Sequence, residues 1–131
     1  MIESEIRAYI IANVASLGAR IYPEVIPQST TLPAVAYNVI GVDRLQTLAG
    51  ADGLIETTIQ YTVVNDTYIN TQATVLLLSN LLHSKAVTLT SYKVSHMGIT
   101  GDNNLGAIDG KNETAKQFAY ALDLKIIYRA L

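Results

Sequence analysis

The chain has 131 residues, 50% of them hydrophobic and 15% charged, with a net charge of −2 and no cysteine. One domain spanning 1–131 is expected, large enough to bury roughly two-thirds of its unfolded surface. The charge balance excludes an electrostatic footprint for nucleic-acid backbones, and the missing thiols exclude disulfides and thiolate chemistry.

Taken in order, residues 3–17 read as a helix. Ile6, Ile10, Val14 and Leu17 recur at helical spacing beside Tyr9, Glu3 and Glu5 complement the macrodipole, and Gly18 supplies a stop. The acidic start, with no long apolar run behind it, is not a signal peptide, and the apolar run Val75–Leu78 is too short to span a bilayer. Residues 20–40 form an extended arm punctuated by Pro23, Pro27 and Pro33, with a turn at Ser29–Thr31. The arm delivers the chain into a first strand at about 33–42, with Val35, Tyr37 and Val39 on one face. Residues 43–53 form a connection, with a hairpin signal at Asp52-Gly53 and strands extending into a two-stranded arm.

Residues 54–65 alternate most cleanly: Ile55, Thr57, Ile59, Tyr61 and Val63 against polar neighbours, as in a sheet covered on one side. Asn65, Asp66 and Thr67 offer caps for a helix over 67–83. Its expected inner stripe is Ile69, Ala73, Leu76, Leu77 and Leu81, widened by Val75, Leu78 and Leu82. A third strand, with a bulge, is expected over 86–96, a long polar loop over 98–113, and a last strand over 115–129. The order helix, two strands, helix, two strands predicts an α+β fold: a single, mainly antiparallel sheet of about four strands with two helices packed on one face. Ile10, Val14, Tyr37, Ile59, Tyr61, Leu77, Leu81, Leu122 and Leu124 are the expected core.

Chemical motifs fail on their spacing. Gly106–Asn112 is one residue short of a phosphate loop, lacks its Ser/Thr and precedes a strand. Asp102, Asn104 and Glu113 sit at three positions of a calcium hand, but Gly106 and Ala107 fill two others wrongly. His83 and His96, the two histidines, have no metal-pair spacing. The Asn65 and Asn112 sequons read as chance, and no nucleophile elbow occurs. No catalytic residue, cofactor or metal is therefore expected. Eight tyrosines against one phenylalanine suit core packing, with some available to an interface.

The run R-I-Y-P-E-V-I-P-Q-S-T-T-L-P-A-V-A-Y at 20–37, the segment I-Q-Y-T-V-V-N-D-T-Y at 59–68 leading into a leucine-rich helix, and the final F-A-Y-A-L-D-L-K-I-I-Y at 118–128 carry a family resemblance. The chain resembles the tail-completion, or tail-terminator, family of long-tailed bacteriophages and prophages over nearly its whole length. Thr71 departs from the small residue expected there, and 98–113 has no alignable motif. The resemblance implies a structural virion protein at the tail–neck junction, assembled in a bacterial cytoplasm. It implies a ring, typically hexameric, that caps the tail tube, ends its growth and joins the head connector, while DNA passes through the lumen unread. Partners would be other copies of the chain, the tail tube protein and the connector, with no sequence-specific nucleic acid and no membrane. The alternatives are a neighbouring neck or head-completion protein or, in another class, a small ligand-binding or enzymatic α+β domain, marked by a closed pocket with convergent ionisable groups. A ring protein should instead show exposed apolar loop residues and unpaired sheet edges. Candidate interface residues are Arg44, Leu45, Gln46, Leu48 and Asp52 in the first connection, and Asp102, Asn104, Leu105, Ile108 and Asp109 in the second. The second segment is expected to be mobile when free and to order against a partner.

Overall fold

Ile2, Ile6 and Ile10 recur every four residues and form the buried face of the first helix, α1 (Ile2–Asn13). The computed structural model describes residues 2–26, 31–47, 50–109 and 116–130, with backbone alone at 43–47, 50–53, 106–109 and 116. α1 ends four residues before the expected 17. Val14 leaves the helical backbone at φ −122° and ψ 87°, a 3-10 turn over Ala15–Leu17 follows, and Gly18 takes φ 54° to turn the chain away. Val14 and Leu17 stay buried, so the apolar periodicity survives the change of helix type.

The proline arm contains a strand that the expectation of an extended loop lacked. β1 (Ile21–Pro23) lies parallel to β2 (Ala34–Thr47), pairing Ile21 with Val35 and Pro23 with Tyr37. A proline is tolerated here because β1 is an edge. Two arginines tie it down: Arg7 Nε donates to Ile21 O at 2.8 Å, and Arg20 donates to Pro33 O at 2.9 Å and Ser16 O at 2.7 Å. Of the turn expected at Ser29–Thr31, Ser29 and Thr30 lie outside the described residues.

β2 and β3 (Gly50–Asn65) form the long two-stranded arm expected, with Tyr37 opposite Tyr61 and Thr47 opposite Gly50. The hairpin turn is not at Asp52-Gly53, because Gln46 pairs with Ala51 and both signal residues lie within β3. The buried alternation of Val35 and Tyr37 against Tyr61 and Val63 fixes the register in the body of the sheet, and shifts at Val39/Gly41 and Arg44/Gln46 reset it toward the tip.

Thr67 caps α2 (Tyr68–Leu82), its hydroxyl accepting Asn70 N–H at 3.1 Å. The expected inner stripe is corrected. Thr71, Thr74, Val75, Leu78 and Leu82 face inward; Leu81 is half-buried, while Ile69, Ala73, Leu76 and Leu77 are exposed. Leucines lie on both faces, so periodicity alone cannot set the phase. The threonines can face the core because Thr71 and Thr74 donate to Thr67 O and Asn70 O, at 2.7 and 3.0 Å.

The expected strand over 86–96 divides into β4 (Lys85–Thr88) and β5 (Tyr92–Asp109). Glu5 accepts Ser91 N–H at 2.8 Å between them, at a turn that carries no Gly, Pro or Asn signal. The expected loop at 98–113 is corrected as well. β5 runs to Asp109 and pairs with β6 (Lys116–Ala130) as far as Asp109–Lys116. Bulges at Ile99/Gly101 and Asn104/Gly106 leave Thr100 and Leu105 as the unpaired extra residues, each directly before a glycine that pairs with β6.

The architecture is α+β, with one sheet in the order β1-β2-β3-β6-β5-β4. It has six strands rather than about four, and the parallel β1–β2 pair makes it mixed. Both helices pack on one face: Ile6, Ile10, Leu78 and Leu82 share a buried cluster with alternate strand residues Tyr37, Ile59, Tyr61, Leu122, Leu124 and Ile126. Of the expected core, Leu77 is exposed and Leu81 half-buried; the other seven are buried. Tyr61 is fully enclosed with no hydrogen-bond partner for its hydroxyl, and burial, reinforced by Tyr37 and Glu3, pushes its phenol far above the ordinary range. The other face is polar along part of its length, where Lys125 pairs with Glu56 at 3.1 Å and Gln60 donates to Asp123 at 3.3 Å, while Ala34, Ala36, Val64, Ala119 and Ala121 are buried at its other end.

Candidate functional site

The candidate interface residues fall into two hairpins that project from opposite ends of the sheet. β3 pairs with β6 from Ile55–Tyr128 to Asn65–Phe118, a span of about 33 Å at 3.3 Å per residue. Beyond Ile55, β2 and β3 continue as a pair on their own. Arg44, Leu45 and Gln46 lie on that part of β2 and Asp52 on β3; their side chains, and all of Leu48, lie outside the described residues. Beyond Asn65, β5 and β6 continue likewise. Asp102, Asn104 and Leu105 are exposed on β5, and Ile108 and Asp109 lie at its end, with side chains outside the described residues. Lys111, Asn112 and Glu113 of the rejected motifs also lie outside them. The two groups are therefore not brought together. The expectation of a mobile second segment does not fit β5 over 98–109, where the backbone is held in a ladder with β6.

Asp102 has a local role. It accepts a hydrogen bond from Tyr120, whose phenol is raised first by burial, then by the Asp102 carboxylate and by Tyr68. Tyr68 stacks edge-on against Phe118, with ring centroids 6.3 Å apart, so the start of α2 is fixed on β6 by aromatic contact.

Sequence reasoning missed two apolar surfaces. One is the outer face of α2, where Ile69 is 78% exposed, Leu76 60% and Leu77 49%. α2 carries no charged residue at all, and that absence was the available signal. The second is on β2, where Val39, Ile40 and Val42 are exposed in succession, with Ile40 at 58%. Such clusters on a small protein mark contact surfaces.

Both histidines flank Gly98, a proximity that their spacing in sequence did not show. A Cβ on Gly98 would lie 3.2 Å from His96 Cε1 and 3.6 Å from His83 Nδ1. His83 Nδ1 accepts Ile99 N–H at 3.0 Å, which directs its ring to a structural task at the edge of β5. Among the described residues, no group of three His, Cys, Asp or Glu side chains is placed to hold a metal. The described residues line two open surface hollows, among others. One, between α1 and the β4–β5 turn, is lined by Glu5, Tyr9, Thr88 and Leu89; the other, at the end of α2, by Asn80, His83, Lys85, Ile99 and Asp102.

No protein-family model matches the chain, and no curated protein matches it. Among solved structures, it is similar to a chain of the virion of a native gene transfer agent particle. The TM-score is 0.66 at 16% sequence identity, covering 98% of this chain and 91% of that chain. At that identity, the likeness shows a shared fold across nearly the full length of both chains.

Proposed function

We propose that this chain is a structural component of a phage-like virion, and that it forms a ring on the end of the tail tube which stops tube growth and joins the tail to the head connector. The carrying observation is the shared fold, end to end, with a chain of a gene transfer agent virion. The segments at 20–37, 59–68 and 118–128 that resemble tail-terminator proteins support the finer role. Two features of the surface fit self-assembly: hairpins at both ends of the sheet, and apolar side chains exposed on β2 and α2. The self-contacts, the tail tube protein and the connector are the partners in this reading, and its residues serve contact rather than chemistry.

The test is electron microscopy of particles produced without this chain. Abnormally long tails, or tails detached from heads, are the expected result. Tails of normal length firmly joined to heads would overturn the role.

A further inference from the structure

Four long strands, β2, β3, β6 and β5, make the body of the sheet, and each outer strand has one short companion. β1 flanks β2 only over Val35–Tyr37, and β4 flanks β5 only over Lys93–Met97. The registers put these companions at opposite ends. Val35 is level with Val63, Tyr120 and Asn104, whereas Met97 is level with Ile126, Thr57 and Val42. Among the described residues, β2 therefore has no neighbouring strand on its outer side over Asn38–Thr47, and β4 stops short of the part of β5 that begins at Gly98. An open edge presents backbone donors and acceptors to any extended chain, and proteins ordinarily guard it with charge, proline or a covering element. Among the described residues, Asn38–Val42 have neither charge nor proline and no covering strand, and charge enters this edge only at Asp43 and Arg44.

We propose that the open edge of β2 pairs antiparallel with the open edge of β5, around Thr100–Asn103, in a second copy of this chain. The inference rests on the reading of a self-assembling ring and specifies its contact. β2 runs antiparallel to β3, β3 to β6 and β6 to β5, so β2 and β5 run in opposite directions. Repeating the sheet sideways with the same face up thus brings β5 against the next β2 as an antiparallel pair, with all helices on one side. β1 and β4 sit at opposite corners and act as stops that set the stagger between copies.

Side chains flanking the two edges match. Val39 is opposite Ile59 and Val42 opposite Thr57, so both project on the helix-bearing face, where they are exposed. On the β5 side, that face carries α2, whose cap His83 bonds Ile99 on β5. Leu76 and Leu77 lie within two turns of that cap, exposed and uncharged. Pairing β2 with β2 across a two-fold would leave the β5 edge and this α2 face uncovered, whereas the head-to-tail contact uses both. Such a contact repeats from copy to copy and closes as a ring when the rotation allows.

The absence of cysteine makes cross-linking clean. Val42→Cys and Asn104→Cys, which share the helix-bearing face because Val42 pairs with Thr57 and Asn104 with Tyr120, are placed on separately tagged full-length copies, mixed and mildly oxidised, and the double variant is oxidised alone. Disulfides joining the two tags, and a ladder of oligomers from the double variant, are expected, since paired strands bring Cα atoms within disulfide reach. Val42→Cys copies joining one another as readily as the mixed pair would overturn the proposal in favour of a two-fold dimer. No disulfide between copies would overturn it in favour of a strand from another protein. Gly41→Lys adds a charge at the edge where a Cβ meets nothing within 4 Å. It should abolish cross-linking while leaving the melting temperature unchanged, and persistent cross-linking would equally overturn the pairing. Particle morphology separates the two ideas: cross-links with normal tails would sink the virion role alone, and abnormal tails without cross-links would sink the edge pairing alone.

Discussion

On β2, the outer edge carries five successive residues, Asn38 to Val42, without a charge or a proline, ahead of Asp43 and Arg44; on β5, the edge is flanked by β4, bonded by His83 at Ile99 and marked by Asp102. Both strands close the same sheet, so the contrast does not come from topology. It comes from what packs beside each edge. α2 passes over β3, β6 and β5, touches α1 and delivers its C-terminus to the β5 edge. The start of the chain reaches the other edge through β1, three residues held by arginine hydrogen bonds, and through the flanking bonds Val35 N–H to Arg20 O and Glu24 N–H to Tyr37 O. A guarded edge resists casual pairing and accepts a partner of matching shape, while a bare edge supplies attraction and little selectivity. Placing one of each on a single chain favours unlike edges meeting.

The strongest way to break this contrast is to release the guard. Leu78→Ala removes the fully buried anchor of α2 and should cost about 2–5 kcal/mol in chemical denaturation. Leu77→Ala, one residue away on the exposed face, should stay within about 0.5 kcal/mol. Equal losses would show that α2 does not hold the β5 side through its inner stripe. Next in size is Gly98→Val on β5, which drives a side chain against His96 and His83 and should lose about 1–3 kcal/mol by overpacking; no change in melting would mean that the histidines move aside freely.

A smaller effect is expected for His83→Ala, which removes the acceptor of Ile99 N–H and should cost about 1 kcal/mol. Amide exchange at Ile99 should quicken, and unchanged protection there would remove His83 from the guard. The smallest effect sharpens the comparison with the same change on the other edge. Gly41→Val meets open space and should be neutral or stabilising by up to about 1 kcal/mol, since a β-branched residue suits a strand. A clear loss would show that the β2 edge is more crowded than its exposure implies.

The legible parts of the fold were those where local periodicity and burial agree. α1's isoleucines, the alternation of β3 and β6, and the Thr67 cap were readable because their repeats of 3.6 and 2 have one apolar face each. α2's inner face was not, because leucines on all sides leave its phase to be chosen by the sheet and α1, and because threonine hydroxyls satisfied within the helix behave as buried groups. β5 read as a loop because glycine and asparagine signal turns locally, yet they pair in a long ladder with β6, whose bulges fall on Thr100 and Leu105. The Asp52-Gly53 signal lost to the strand pairing itself, which holds both residues within β3 and, after shifts at Val39/Gly41 and Arg44/Gln46, runs on to Thr47 and Gly50. Of the candidate interface, the sequence determined the residue types and their two segments. That the segments sit at opposite ends of one sheet, and that Val39–Val42 and the α2 outer face are left uncovered, was decided only by tertiary structure, because strand neighbours and open edges follow from pairings between residues distant in the chain.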